Sequence, residues 1–424
     1  MKDARSEFAA FVGIDWADRE HAVCLASAKG SRCESHVVPH QATAIDQWAQ
    51  GLRTRFGGRP IAVCLEQSHG ALAFALRKYD FLVLFPINPK QLARFREAFV
   101  PSGAKSDPSD ARLLAEFARQ YHTQLHPSRP DDARTRQLAL LVEARRTLVD
   151  ERKALENRLR QTLKESFPQA LELTSSSLHA DFFLRLLKRY PTLASMKRAE
   201  PRRLARLLPP RRAAEDEPTI DPRVQALRES PPLVTDPAVL EASQLMIEAT
   251  VAQLFALNAA IKAHDRRIAA LMAEHPDAAL FCALPGAGEV MAPRLLAAFG
   301  SDRKRFASAA EVQRYSGIAP VTKQSGRVRL IYRRWACPKF LRQTFHEFAD
   351  HSRKASAWAR AFYQLQRDRQ KGHHAAIRSL AFKWIRILYR CWQTGTAYDE
   401  QRYLAQLRKT NSPLLAYLPT EPAS

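Results

Sequence analysis

The sequence predicts an α/β domain over residues 8–125, a helical arm over 131–275, a mainly α-helical domain over 277–400 and a tail at 401–424. Three observations carry this. In the first segment short apolar runs alternate with amphipathic stretches, the pattern of strands and helices built on one central sheet. In the second, apolar residues recur at near-heptad spacing with charge between them, the pattern of a coiled coil. In the third, helical stretches flank Pro285-Gly286-Ala287-Gly288, which reads as the hairpin of a helix-hairpin-helix unit.

Each element follows in order. Phe11, Val12 and Ile14 give a first strand, and Ala22, Val23, Cys24 and Leu25 a second. "DQWAQGLRTRF" is a short helix. Ile61, Val63 and Leu65 alternate in a buried strand, "RPIAVCLEQ", and "GALAFALRKYD" is a helix that starts at a glycine. "FLVLFPINP" is another buried strand, stopped by Pro86 and Pro89, and "KQLARFREAF" is helical. "GAKSDPSDARLLAEFARQ" opens a helix that runs to about Gln120.

In the arm, Leu138, Leu141, Val142, Leu148, Leu155, Leu159 and Leu163 mark one long helix over 134–165. Residues 239–275 repeat the pattern, and the two are expected to return along one another. Between them lies a basic insert at about 165–250. Within it, residues 185–212 hold ten Lys/Arg and one acid, and the proline-rich 208–222 is expected to be mobile.

Charge narrows the function. Lys+Arg is 66 against Asp+Glu 43, a net charge of +23. Such a surface concentrates polyanions, and because the charge recurs along the chain the expected partner is nucleic acid rather than anionic lipid or an acidic protein. Residues 302–342 alone hold eleven Lys/Arg against Asp302 and Glu311, and aromatics such as Trp358, Phe362, Tyr363, Phe382, Trp384, Tyr389 and Trp392 follow. Basic surfaces interleaved with aromatics suit phosphate contacts and base stacking. The six cysteines show no metal-site spacing and read as reduced thiols. The first residues lack the apolar run of a signal peptide, and no apolar run nears the ~20 residues that span a bilayer. A cytoplasmic protein with no membrane partner is the expectation.

Four acids are candidates for chemistry. Asp15 ends the first strand and Glu66 a later strand of the same sheet; each alone reads best as an ordinary strand end. Asp107 and Asp110 lie about one helical turn apart and face the same way. Their plain reading is capping, with Asp107 as N-cap before Pro108 and Asp110 near the positive helix end. Taken together, the four follow the order of a ribonuclease H-like nuclease. Hard oxygen donors of this kind suit Mg²⁺ or Mn²⁺, and two such ions about 4 Å apart can clamp both oxygens of a phosphodiester displacement.

"VGIDWA", "CLEQSHG" and "KSDPSDARLLAEFARQ" resemble the DEDD transposases of bacterial insertion sequences, the "one-ten" and "eleven-eleven" types. "LPGAGEVMAPRLLAAFG", "FASAAEVQRYSGIAPVTKQSG" and "KGHHAAIRSLAFKWIRILYR" resemble that family's second domain. The likeness covers about 10–160 and 277–400. It implies a RuvC-like N-terminal domain with Asp15, Glu66, Asp107 and Asp110 as metal ligands. It implies a serine nucleophile in the C-terminal domain, at Ser325 in "PVTKQSG", that links covalently to DNA. It implies donor and target DNA as substrates, a structured bridge RNA as guide, dimers that join into tetramers, and active sites shared between subunits. A bacterial, nucleoid-associated location follows. One departure is "EQSHG" where the family more often has an "EATG"-like stretch: Glu66 is kept, and His69 is assigned no role.

From the residues, Ser325 gains weight from Lys323, Arg327 and Arg329, which could stabilise a phosphorane. Ser316 in "YSG" is the competing serine. Arg333 and Arg334 extend the basic set, and Gly286 and Gly288 would let backbone amides approach a phosphate. Two other readings stay open: a metal-dependent junction nuclease in which water attacks, and a non-catalytic nucleic-acid scaffold.

Overall fold

The computed structural model describes residues 8–28, 33–66, 70–99, 106–125, 127–128, 130–174, 177–209 and 221–418. His69 and most of the proline-rich 208–222 lie outside these. The chain divides into two compact units, 1–130 and 131–424.

The first unit is a five-stranded mixed sheet. Its strands are β1 (Ala10–Asp15), β2 (Glu20–Ser27), β3 (Cys33–Pro39), β4 (Ile61–Leu65) and β5 (Leu82–Pro86), in the order β3-β2-β1-β4-β5. β1, β4 and β5 run parallel, while β2 is antiparallel to both β1 and β3. Helices cover both faces, so β1 and β4 read as continuous apolar runs rather than alternating ones. Ile45, Ala49 and Leu52 of α1 (Ala42–Phe56) and Leu72 and Leu76 of α2 (Ala71–Leu76) pack against Val12, Ile14, Val63 and Leu65. On the other face, Leu92 of α3 (Pro89–Phe99) and Ala111, Leu114 and Ala118 of α4 (Asp107–Tyr121) pack against Phe11, Cys24, Ala62 and Cys64.

β3 was not expected from the sequence. It is an edge strand whose residues from Glu34 to Val37 are all exposed, so no inward-facing apolar stripe announces it. Cys33 on it is joined to Cys24 on β2, with Cα atoms 6.1 Å apart. The reading of all six cysteines as free thiols is therefore corrected for this pair.

Gly13 sets the distance between β1 and α4. A Cβ there would lie 2.0 Å from the Ala111 carbonyl oxygen and 2.3 Å from the Ala115 amide nitrogen. Only a residue without a side chain lets the helix backbone rest on the strand.

The second unit begins with α5 (Ala133–Ser166). The insert follows as α6 (Gln169–Glu172), α7 (Asp181–Arg189), α8 (Leu193–Arg198), α9 (Pro201–Leu207) and α10 (Pro222–Glu229), and the chain returns along α11 (Pro237–Glu274). α5 and α11 run antiparallel: Arg145 pairs with Asp265, Arg152 donates to Asn258 at 3.2 Å, and Arg134 donates to the Glu274 carbonyl. The insert has its own core, in which Phe183, Leu184 and Leu187 of α7 meet Leu159 and Leu163 of α5 and Val251 and Leu254 of α11.

α11 corrects the expectation that no stretch is apolar enough to span a bilayer. It has an 18-residue window of mean hydropathy 1.3, of which 28% is buried. Alanine-rich sequence produces this value, and the helix also carries Lys262, Asp265, Arg266 and Arg267 while pairing with α5.

The rest of the unit comprises α12 (Ala278–Cys282), α13 (Gly288–Phe299), α14 (Ala309–Tyr315), a hairpin of β6 (Val321–Ser325) and β7 (Val328–Tyr332), α15 (Lys339–Ala355), α16 (Ala357–Asp368), α17 (His373–Thr394) and α18 (Glu400–Lys409). Leu138 and Val142 of α5 and Ile268 and Leu271 of α11 belong to the same core as these helices, so residue 277 falls inside continuous packing. Trp358, Trp384 and Trp392 are fully buried there. Their indole N–H groups donate to Tyr398 Oη, Ser352 Oγ and the Gly300 carbonyl. These tryptophans are core residues with satisfied donors, not the stacking platforms that their position in a basic sequence suggested.

Gly13→Ala should destabilise the protein by about 3 kcal/mol, the upper end for overpacking, because backbone rather than side chain would have to move. Gly51, inside α1 with nothing within 4 Å of its Cβ position, is the control. Gly51→Ala should gain about 0.5–1 kcal/mol. Thermal unfolding midpoints of the two variants should therefore move in opposite directions.

Candidate functional site

Asp15 is the last residue of β1, and Glu66 immediately follows β4. The two strands are parallel with Ile14 opposite Leu65, so the next residues, Asp15 and Glu66, stand side by side in register at the carboxyl edge of the sheet. That edge is where open α/β sheets bind ligands.

α4 brings a third acid to the same end. The His122 ring, just past its C-terminus, lies 5.1 Å from Phe11, while Ala111 and Ala115 lie over Gly13. The helix thus runs antiparallel to β1 and its N-terminus points toward the Asp15 end. Gly13 and Asp15, two residues apart on a strand, share the face that α4 covers.

The helix start is not capped by aspartate. Ser106 is the N-cap and forms a reciprocal capping box with Ser109. This corrects the assignment of Asp107 as N-cap, while both aspartates still lie in the first turn at the positive end of the helix. Asp107 is exposed at the first helical position. Asp110 is buried, and both its oxygens are engaged by Arg96 of α3: Nε donates to Oδ1 at 2.9 Å and Nη2 lies 2.7 Å from Oδ2. Removing one partner of such a buried pair costs about 3–5 kcal/mol, so Arg96 holds the carboxylate firmly in the absence of another cation.

The donor set at this edge is all carboxylate oxygen, which fits a hard divalent cation. Among the described residues, however, no three potential ligands are already gathered closely enough to hold one. Asp110 faces Arg96 in the state described here, so its carboxylate would have to exchange the guanidinium for a metal. Arg96 has no distinguishing motif and was missed by sequence reasoning, as was His21. The buried His21 ring accepts the Ala17 N–H at 3.4 Å through Nδ1, and its Nε2 lies 3.0 Å from His40 Nδ1, which braces the turn that follows Asp15. Burial, then the neighbouring His40, lowers the His21 pKa and keeps the ring neutral.

Ser325 ends β6, one residue before a two-residue turn in which Gly326 has φ +55°. This hairpin was also missed, although Gly-X between two short runs is a hairpin signal. Every residue from Thr322 to Tyr332 is exposed. Alternation puts Lys323 on the Ser325 face, across from Leu330, with Lys323 Nζ 5.6 Å from the Tyr332 ring centre. Arg329 stands opposite Gln324 on the other face, and Arg327 is in the turn. Ser316, the competitor, is fully buried, and its Oγ donates to the Gln313 carbonyl.

Arg333 lies over the exposed Trp335 ring at 4.6 Å, and Arg334 Nε donates to the Ala319 carbonyl. Gly286 and Gly288 differ in kind. A Cβ on Gly286 would lie 2.9 Å from the His351 backbone, so its form serves packing against α15, whereas Gly288 is open.

A family model for DEDD transposases of the IS110 type matches residues 12–168, and one for the transposase IS116/IS110/IS902 family matches 278–364. The "Mini-circle putative transposase for IS117" of Streptomyces coelicolor is 31% identical over 408 residues, covering 94% of this chain and 97% of that protein. The IS110 43.6 kDa protein of the same organism is 26% identical over 92% of this chain and 96% of its own length. The IS116 44.8 kDa protein of Streptomyces clavuligerus is 29% identical over 67% of this chain and 70% of its own. With both family segments present in order and a relative matched nearly end to end, the chain belongs to the IS116/IS110/IS902 family of insertion-sequence transposases.

Proposed function

We propose that the protein cuts and rejoins DNA strands through a covalent serine intermediate, with Asp15, Glu66, Asp107 and Asp110 as the ligands of Mg²⁺ or Mn²⁺ and Ser325 as the nucleophile. The common sheet end of Asp15, Glu66 and Asp110 supports the first part most strongly. A divalent ion held there would polarise the phosphodiester and offset its charge.

The exposure of Ser325 at a hairpin tip, against the burial of Ser316, supports the second part. In the reaction, the Ser325 Oγ–H loses its proton as Oγ bonds to phosphorus. One backbone P–O bond breaks, and the leaving oxygen takes up a proton. Lys323, on the same face, is suited to balance the charge on the phosphorane, and Arg327 approaches from the turn. No His or Asp neighbours Ser325 in sequence, so its base comes from elsewhere, and an acid set of a second subunit is the natural source.

Donor and target DNA are the substrates and a structured RNA is the guide. The basic hairpin, with Arg329, Arg333 and Arg334, and the open Gly288 are the proposed contacts. The chain would act in the bacterial cytoplasm at the nucleoid. The α5–α11 pair would serve as a coiled-coil arm for a homodimer or homotetramer, and the turn ahead of α13 as a helix-hairpin-helix. Leu245 and Met246 of α11, 61% and 45% exposed, offer apolar surface for that assembly.

Three outcomes follow. Asp110→Asn should lower recombination by more than about a hundredfold, beyond the loss typical of a residue that only supports a ligand, with RNA binding nearly intact. Equal loss of both would mean a folding role. Ser325→Ala should bind RNA and DNA yet trap no covalent adduct on denaturing gels, and mixing it with Asp15→Asn should restore part of the activity. A mixture that stays inactive while both variants assemble excludes the shared site, and persistent cleavage without adduct favours attack by water. Leu245→Glu combined with Met246→Glu should shift sedimentation toward the monomer.

A further inference from the structure

The β6–β7 ribbon sorts its side chains into two unlike faces. Its register pairs Val321 with Tyr332, Lys323 with Leu330 and Ser325 with Val328, and strand alternation puts these pairs on one face. Thr322, Gln324, Arg329 and Ile331 make up the other. Beside Ser325 the first face is apolar. Val328 stands directly across from it, with Cα atoms about 5 Å apart, and Leu330 follows one step along that face, roughly 7 Å further on. Val328 is 59% exposed, Leu330 48% and Tyr332 47%. Among the described residues, none of the three belongs to a hydrophobic core. Apolar side chains gathered on the surface in this way mark a place that meets a partner.

The surroundings say which partner. From residue 312 to 346 the chain has no acid, while Lys323, Arg327, Arg329, Arg333 and Arg334 lie on or beside the ribbon. A polyanion is the complement of such a surface. The place of Ser325 narrows this further. A hydroxyl that attacks a phosphodiester lies within bonding reach of phosphorus, so side chains this close to it meet the same nucleotides. The cations can take the phosphates. Val328 and Leu330 cannot. Apart from thymine methyls, the apolar parts of a nucleotide are its sugar and the faces of its base, and in a duplex those faces are stacked out of reach. Apolar side chains gain them by opening a base step. A two-stranded ribbon is narrow enough to enter a DNA groove, and Gly326 adds no side chain at the tip.

We infer that Val328 and Leu330 form an apolar wedge that opens the base step of duplex DNA next to the phosphate attacked by Ser325. This rests on the reading of Ser325 as the nucleophile. Because wedge and hydroxyl share one face, the step that is opened is the step that is cut. Ile331, 66% exposed on the opposite face, takes no part.

The test uses the full chain with duplex DNA of the element's ends and its guide RNA, and reads unstacking by permanganate oxidation of thymines. Val328→Ser/Leu330→Ser should melt like the wild type, because both side chains are exposed. The wild type, Ser325→Ala and Ile331→Ser should all make thymines beside the adduct phosphate reactive, since opening precedes attack. Val328→Ser/Leu330→Ser should lose that reactivity, still bind the DNA, and form the adduct at least about tenfold more slowly, a part of the cost of unstacking one step. Mismatches that leave the step open beforehand should restore its rate. Absence of the thymine signal in the wild type overturns the wedge, as does a signal that persists in the double variant or a rate that mismatches do not restore. A shift of the double variant toward the monomer in sedimentation also overturns it, because the face would then be a contact with a second copy. The two readings fail separately. If Ser325→Ala still forms the adduct while the thymine signal depends on Val328 and Leu330, the nucleophile assignment falls and the wedge stands. If Ser325→Ala abolishes the adduct and the double variant behaves as the wild type, only the wedge fails.

Discussion

The first unit depends on a contact between two backbones. At Gly13 the strand and α4 touch without an intervening side chain, and a Cβ at 2.0 Å from a carbonyl oxygen leaves no room for adjustment. The contact fixes how far α4 can slide along β1. It therefore fixes where the helix start falls relative to the strand ends, and with it the distance between the carboxylates borne by each. A looser interface of large apolar side chains would hold the layers together but would not define that position as sharply.

Held in this way, the buried Asp110 of the acid edge is paired without metal. Arg96 neutralises the one deeply buried carboxylate, while Asp107 stays in water. Such an arrangement lets the domain fold without a bound ion, because no cluster of unpaired anions must be assembled first. The hairpin of the second unit has the opposite character. It presents apolar and basic side chains on both faces, with Val328 59% and Ile331 66% exposed, and packs few of them into its own core.

What the sequence disclosed followed burial. β1 and β4 carry inward-facing side chains on both faces, and α5 and α11 carry long apolar stripes, so periodicity located all four closely. β3 and the β6–β7 ribbon are exposed, and the cues for them are turn residues rather than apolar pattern. The acids were legible as residue types at strand ends, and the family likeness tied them together. Arg96 was not, because its importance lies in meeting Asp110 across two helices, a relation that no spacing encodes. The tryptophans of α16 and α17 were misread by their basic surroundings, although Leu380, Trp384, Leu388 and Trp392 already trace one helical stripe.

The antiparallel return of α11 along α5 also bears on how this lineage can vary. Residues 167–236 leave and re-enter the molecule at one end of the helix pair, with a core that involves only the neighbouring turns of α5 and α11. Loop closure grows only slowly with length, so a segment with its two ends tethered together can expand, shrink or be exchanged at small thermodynamic cost. The two matched family segments end and begin on either side of it, at 168 and 278. The helix pair thus makes a position at which the chain can change length without disturbing the core that α5 and α11 share with the helices after residue 277.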